Sequence, residues 1–390
     1  MKTKTLILLT CLCGITSCSD DMITTPSDNK TDSHIVAASH ISKTEAITIA
    51  QNILKCNSTT RTNNYNIDYI LRDLSTRNGE IKNELGDTLV YIINFNNNGF
   101  AIIASDNRVN PLLAYSDTGS FDMRNDMIIS NFIQLIEPYM DYYCNMPSTR
   151  SYPLDFKEKI PPVQVAPKLT TVLKQWAPYN KYVEERAPGY PAGCIPLATA
   201  SIISHIKHTL VYDNRFYDFD AINNGIGGNH SLMSYAEATD KLARFICDIG
   251  IAMGVYFDDE KFTTWCSISA PLNLFSATNC NIKTTSSSGN PVMYDYDAKK
   301  ISDFLLDSCL IYMTGCNADK TGYQDGHGWV VDGCAYYSNY DMFLQKEVRT
   351  CIYLHCDWGW DGSGNGYYTG DVFKIPGMIN YHDFDYIAVK

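Results

Sequence analysis

Apolar residues along this chain follow two periods, and the change from one to the other organises it. Ala46, Ile49, Ala50, Ile53 and Leu54 recur at i, i+3, i+4, i+7 and i+8, the spacing of one buried helical face. Ser42 and Glu45 precede them at the spacing of a capping box, which predicts where that helix starts. LVYIINF (89–95), the turn NNNG (96–99) and FAIIAS (100–105) predict a β-hairpin, PLLAY (111–115) a further strand, and 128–143 a second helix. Residues 37–145 therefore read as a small α+β domain. Farther on, Leu197, Ala198, Ile202, Ile203 and Ile206 predict a mostly buried helix starting at Cys194, with Pro196 tolerable in its first turn. Another helix is predicted across 232–253. CLIYM (309–313), HGWVVDGC (327–334) and VRTCIYLHC (348–356) predict strands, and GSGNG (362–366) a turn. Helices first and sheet later give an α+β class for 168–390 as well, a length that can bury a sizeable core.

Between the two blocks the pattern breaks. Pro147, Pro153, Pro161, Pro162 and Pro167 oppose helix and sheet alike, and Arg150, Lys157 and Lys159 lie among them. Residues 146–167 are expected to be an exposed linker open to proteolysis. The first residues are not fold. Two lysines precede LILLTCLCGI (6–15), an apolar core too short to span a bilayer comfortably, so 1–17 reads as a secretory signal. Ile15-Thr16-Ser17-Cys18 resembles a lipobox, which would acylate Cys18 and tether the chain to a membrane through the polar stretch 18–36. The expected location is extracytoplasmic, on the outer membrane or cell surface, with release of the mature protein possible. A formal net charge of −12, with no block of Lys or Arg, excludes a nucleic-acid partner, because phosphate demands basic counter-charge.

The chain carries 14 cysteines, and secretion leaves disulfides open without fixing any pairing. Cys194 differs from the rest in its setting. A thiolate is the reactive form, and a helix N-terminus favours it through unpaired N–H groups and the helix dipole. Gly193 lets the backbone turn and keeps the sulfur accessible. His327 follows 133 residues later, between Gly326 and Gly328, within the ~130–150 that separate Cys from His in papain-like enzymes. It is the candidate acid and base. Asp357 is the candidate orienting carboxylate, with Trp358 and Trp360 available to shield it. Gln175, 19 residues before Cys194, could join the Cys194 N–H as an oxyanion donor. His355 and Cys356 invite a metal, but neighbours on a strand point to opposite faces and would not share one ion. No metal or cofactor is called for.

With these pieces in place the chain resembles the streptopain family of bacterial papain-clan cysteine peptidases. QWAPYN (175–180), AGCIPLATA (192–200), GHGWVVDG (326–333) and DWGWDGSGNGYY (357–368) carry the likeness, and LARFICDIGIAMGVYF (242–257) is similar to the helix before a substrate-side loop. Upstream, 95–122 resembles the family's propeptide. The resemblance implies a papain-like domain at 168–390, a zymogen whose own domain 37–145 acts as an intramolecular inhibitor, and protein or peptide substrates. Gly193, Trp329 and Trp358 are the candidates for the substrate side. In two places the chain departs from the family. Aspartate stands at 357 where asparagine is usual, and DDEKFTTWCSIS after Phe257 lacks the usual Gly/Ser-rich loop. Two other readings fit parts of the pattern: a Cys-His-Asp acyltransferase of transglutaminase type, and a non-catalytic surface binding lipoprotein on a peptidase scaffold.

Overall fold

The computed structural model describes residues 40–55, 65–71, 88–95, 99–145, 160–259, 263–318, 324–343, 345–374 and 382–390. The signal, lipobox and tether fall outside them, as does 146–159 of the linker. Elements in chain order begin with α1 (Lys43–Lys55), β1 (Tyr65–Leu71), β2 (Thr88–Phe95), β3 (Phe100–Ala104), β4 (Leu112–Ser116) and α2 (Asp126–Asn145). There follow β5 (Val163–Val165), α3 (Lys181–Glu184), α4 (Cys194–Ile206), β6 (Thr209–Tyr212), β7 (Arg215–Asp218), α5 (Phe219–Ile226) and α6 (Tyr235–Ala252). The chain continues through β8 (Tyr256–Asp258), β9 (Thr263–Trp265), α7 (Ala270–Ala277), β10 (Tyr294–Asp295) and α8 (Ala298–Leu306). It closes with β11 (Leu310–Ala318), β12 (Gln324–Asp341), β13 (Lys346–Asp357), β14 (Gly366–Thr369), a 3-10 turn (Gly370–Phe373) and β15 (His382–Val389).

The N-terminal block forms as its pattern predicts. The Ser42 N–H meets the Glu45 carboxylate at 2.7 Å and the Glu45 N–H returns to the Ser42 hydroxyl at 3.3 Å, so the capping box closes. Its helix buries Ala46, Ile49 and Ala50 against Tyr91, Ile93, Ala101 and Ile103 on one face of the β2–β3 hairpin. The other face, with Ile92, Phe100 and Ile102, packs with Phe132, Ile133 and Ile136 of α2. Burying a side chain of this size is worth about 1.5–3 kcal/mol, so each face contributes several such terms.

A single antiparallel sheet then crosses from one block to the other, in the order β1-β2-β3-β4-β14-β13-β12-β11-β15-β10. The seam is β4 against β14, where Tyr115 pairs with Tyr367 and Ala114 with Tyr368. Gly366 makes the approach possible: a Cβ there would lie 2.6 Å from the Tyr115 carbonyl oxygen. Beyond the seam, one face of the sheet joins α2 through Trp329, Trp358, Trp360, Tyr368 and Phe373. The opposite face carries Leu310, Tyr312, Val330 and Ile387 against the helical layer, with Ile195, Leu197, Ala198, Ile202 and Ile203 of α4 at its centre. The last residues of the expected linker are not free of structure. Val163–Val165 pairs antiparallel with Cys334 and Ala335, and so adds a short strand beside β12. Cys194, Cys247, Cys266, Cys280, Cys309, Cys334 and Cys356 are free thiols.

Candidate active site

Cys194 is the first residue of α4, and the turn before it depends on Gly193. Its φ is +91°, a region that side chains rarely adopt, and a Cβ there would lie 3.1 Å from Thr264 Cγ2. Ala192 donates its N–H to the Gln175 carbonyl at 2.7 Å, which ties the nucleophile loop to the buried Gln175. Lys174, next to Gln175, bridges in turn to Trp360. The half-buried sulfur is raised above an ordinary thiol by burial; N–H groups of Gly328, Ile195 and Cys194 itself oppose that shift without cancelling it. At neutral pH this is a thiol with the donors of a thiolate already around it.

β12 passes directly over that sulfur. Gly328 faces α4, since a Cβ on it would lie 3.0 Å from Ile195 Cγ1. Side chains alternate along a strand, so His327 points to the other face. There its Nε2–H donates to the Trp358 carbonyl at 3.0 Å. Its ring lies among Trp329, Trp358 and Trp360, at centroid distances of 6.0, 6.1 and 5.3 Å. Burial in this aromatic nest pushes its pKa down to about 4, and the Trp358 carbonyl only partly offsets that. The imidazole is therefore neutral at pH 7 and on the face of the sheet away from Cys194. The sequence pairs these two side chains; here the imidazole hydrogen-bonds the Trp358 carbonyl instead, on the face of β12 opposite to that of Gly328.

Asp357 lies on the Cys194 face, because it pairs in register with Val330, which packs against α4. It accepts the Gly359 N–H at 3.1 Å. Burial first, and then the nearby Asp332 carboxylate, raise its pKa to about 6; the Gly359 and Asn365 hydrogen bonds and His355 pull the other way. The expected Asp357–imidazole contact is not what these groups make here. Trp358 and Trp329, expected on the substrate side, form the wall on which His327 stacks, with Trp358 also stacked on Trp360 at 5.2 Å. Three participants have no catalytic assignment from the sequence: Asp332, Asn365 and His355, the last weighed there only as a metal ligand. Asp332 stands inside the GHGWVVDG segment (326–333) and His355 beside Cys356, so both were in view, but their pairing follows from strand register alone. A cleft of about 880 Å3 adjoins Gln175, Trp176 and Trp360, and its far wall is Ser120–Asn125 of the N-terminal block.

Comparison with known proteins settles the lineage. A model of the peptidase C10 family matches residues 173–368, half of the chain, and these contain all four candidate catalytic positions. This chain belongs to the peptidase C10 family. The N-terminal block, at 38–142, matches the model of the Spi protease inhibitor. Streptopain of Streptococcus pyogenes serotype M1 is 22% identical over 324 residues, covering 75% of this chain and 76% of its own. Among solved structures, prointerpain A of Prevotella intermedia aligns over 76% of this chain and 94% of its own, at 18% identity and a TM-score of 0.49. Active interpain A, described as a cysteine protease, aligns over 57% of this chain and 93% of its own at 19% identity, with a TM-score of 0.38. The streptopain resemblance read from the motifs is borne out. This C10 member is a cysteine peptidase zymogen with an inhibitor-like propeptide.

Proposed function

We propose that this peptidase is a secreted endopeptidase that cuts peptide bonds with the Cys194 thiolate and uses His327 as acid and base. The observation that carries the reading is the passage of β12 over the sulfur, with the Gly328 N–H directed at it and His327 as the adjacent residue. A turn of the strand at 326–328 would bring the imidazole to the α4 face, where Asp357 already stands. His327 would then take the thiol proton, Cys194 would attack the scissile carbonyl, and the imidazolium would protonate the leaving amine. Water would then hydrolyse the acyl-enzyme. The Gln175 side-chain amide and the Cys194 N–H are the donors for the oxyanion.

On this reading the propeptide enforces latency. Its core is continuous with the tryptophans that hold His327, so the nest and the propeptide stand or fall together. Activation follows a cut in 146–159, upstream of the paired strand β5. Cys18 is the proposed lipid attachment site. The test uses the full chain: casein hydrolysis and self-cleavage in wild type, loss of both in Cys194→Ala, and mass analysis of the N-terminal peptide for the lipid. Full casein hydrolysis by Cys194→Ala would overturn the mechanism.

A further inference from the structure

The residues just before the catalytic body are built into it by one buried carboxylate. Asp332, 1% exposed, accepts the N–H groups of Lys168 and Leu169 on one oxygen, both at 2.9 Å. Its other oxygen takes the His355 Nδ1–H at 2.6 Å. The Lys168 ammonium donates to the Leu305 and Cys309 carbonyls at 3.0 and 2.9 Å. Upstream, the strap continues as β5, and it runs so close to Gly333 that a Cβ there would lie 2.8 Å from the Val165 carbonyl oxygen.

The place of this clamp in the sheet gives it a role. Val330 pairs with Asp357 and Val331 with Cys356, but the next pair is Gly333 with His355. Asp332 is thus the extra residue of a bulge, between the catalytic stretch of β12 and the part that pairs with β5. Bulges bend a strand and re-aim its side chains, and they persist where other contacts hold them. The same bulge sits on the strand of His327 and opposite the strand of Asp357. Deleting one partner of a buried carboxylate leaves its charge incompletely satisfied, which destabilises the clamp.

We propose that Asp332 and His355 are positioning residues of the peptidase, which clamp the strap at 163–169 and thereby fix the bulge that aligns His327 and Asp357 in the mature enzyme. This rests on the cysteine-peptidase reading above. It requires that the strap stay with the enzyme, so that the mature chain starts at or before residue 160. Neither residue touches substrate; they act through β12 and β13.

The experiment matures full-length wild type, His355→Ala, His355→Asn and Asp332→Asn by cleavage in the linker. It then measures kcat and KM on one peptide substrate, with melting curves and N-terminal sequencing. The amide of His355→Asn can occupy the place of Nδ1–H. Expected are a kcat at least 10-fold lower in His355→Ala with KM within 3-fold, recovery of most of the loss in His355→Asn, and a mature start no later than 160. Wild-type kcat in His355→Ala overturns the proposal, as does a fully active mature chain that begins after Leu169. So does a His355→Asn protein no better than a folded His355→Ala. Where His355→Ala melts too low to assay, Asp332→Asn decides by the same kcat loss or its absence. If matured wild type is inert and iodoacetamide leaves Cys194 unmodified, the peptidase reading fails; if wild type is active and the variants match it, only the clamp fails.

Discussion

Cys194 and His327 are each held in the wrong protonation state for an ion pair, and burial is the cause in both. The thiol is pushed up and the imidazole down to about 4, so in the zymogen both are neutral at pH 7. This has a thermodynamic signature. A histidine whose folded pKa is depressed stabilises the fold above its ordinary value, and that stability is lost as pH falls from about 6.5 to about 4. Asp357, raised from 3.8 to about 6, does the reverse: its stability is present below 3.8 and lost as pH rises to about 6. Each amounts to about 3 kcal/mol, so between pH 4 and 6 the two slopes oppose each other. His327→Gln should unmask the aspartate. The variant zymogen should lose stability by about 2–3 kcal/mol relative to wild type as pH is raised from 4 to 6.5, as read from urea unfolding at each pH. A variant curve parallel to wild type would contradict these assignments. For catalysis, Cys194→Ala should lower hydrolysis by at least about 10³-fold, measured on a peptide substrate, since removing a nucleophile costs orders of magnitude. The proposed site residues can be named from the sequence alone, because a Cys preceded by Gly and a His between two glycines at this spacing have few other uses. Which face His327 occupies was not. A strand offers both faces equally, and the choice is made by the tryptophans and by a propeptide far away in the chain.

Among the elements, those with strong periodicity match their sequence pattern: α1 with its capping box, the β2–β3 hairpin, α4, and strands β11, β12 and β13, whereas β14 and β15 carry no such signal. Strand β5 was missed for a specific reason. It lies between Pro162 and Pro167, and proline argues against a strand. Yet Val163, Gln164 and Val165 keep their N–H groups, and three residues suffice beside β12 when prolines sit outside the pairing. The seam between β4 and β14 makes its own prediction. In Gly366→Ala the added methyl group would meet the Tyr115 carbonyl at 2.6 Å, the Ser116 Cβ at 3.0 Å and Phe100 Cζ at 3.1 Å. All three belong to the propeptide. The substitution should weaken propeptide docking by about 10-fold or more, on the scale of 1–3 kcal/mol for overpacking, while leaving the matured enzyme unchanged. Faster iodoacetamide labelling of Cys194 in the uncut chain, with an unaltered kcat after maturation, is the expected pair of results.

At the level of the molecule, propeptide and peptidase share one sheet and one core rather than touching across a wet interface. Ile128, Phe132 and Ile136 of α2 belong to the same cluster as Trp329, Trp358 and Phe373. Removal of the propeptide should therefore move three of the chain's 5 tryptophans toward water. Their emission should shift to longer wavelength on maturation, and it should do so in Cys194→Ala cut by an added protease, where no turnover occurs. An unshifted spectrum would mean that the aromatic nest survives alone.

The shared sheet also leaves something behind. Once β4 departs, β14 becomes an unpaired edge with its N–H and C=O groups open, and such edges invite other chains to pair. Here the hazard is small by construction. β14 is four residues long, Gly366–Thr369, and the 3-10 turn at Gly370–Phe373 bends the chain away directly after it. The propeptide held this edge through only two residue pairs. A strand too short to template aggregation is also too short to keep its inhibitor by backbone bonds alone, so the grip must come from side chains, and a cut linker can end it.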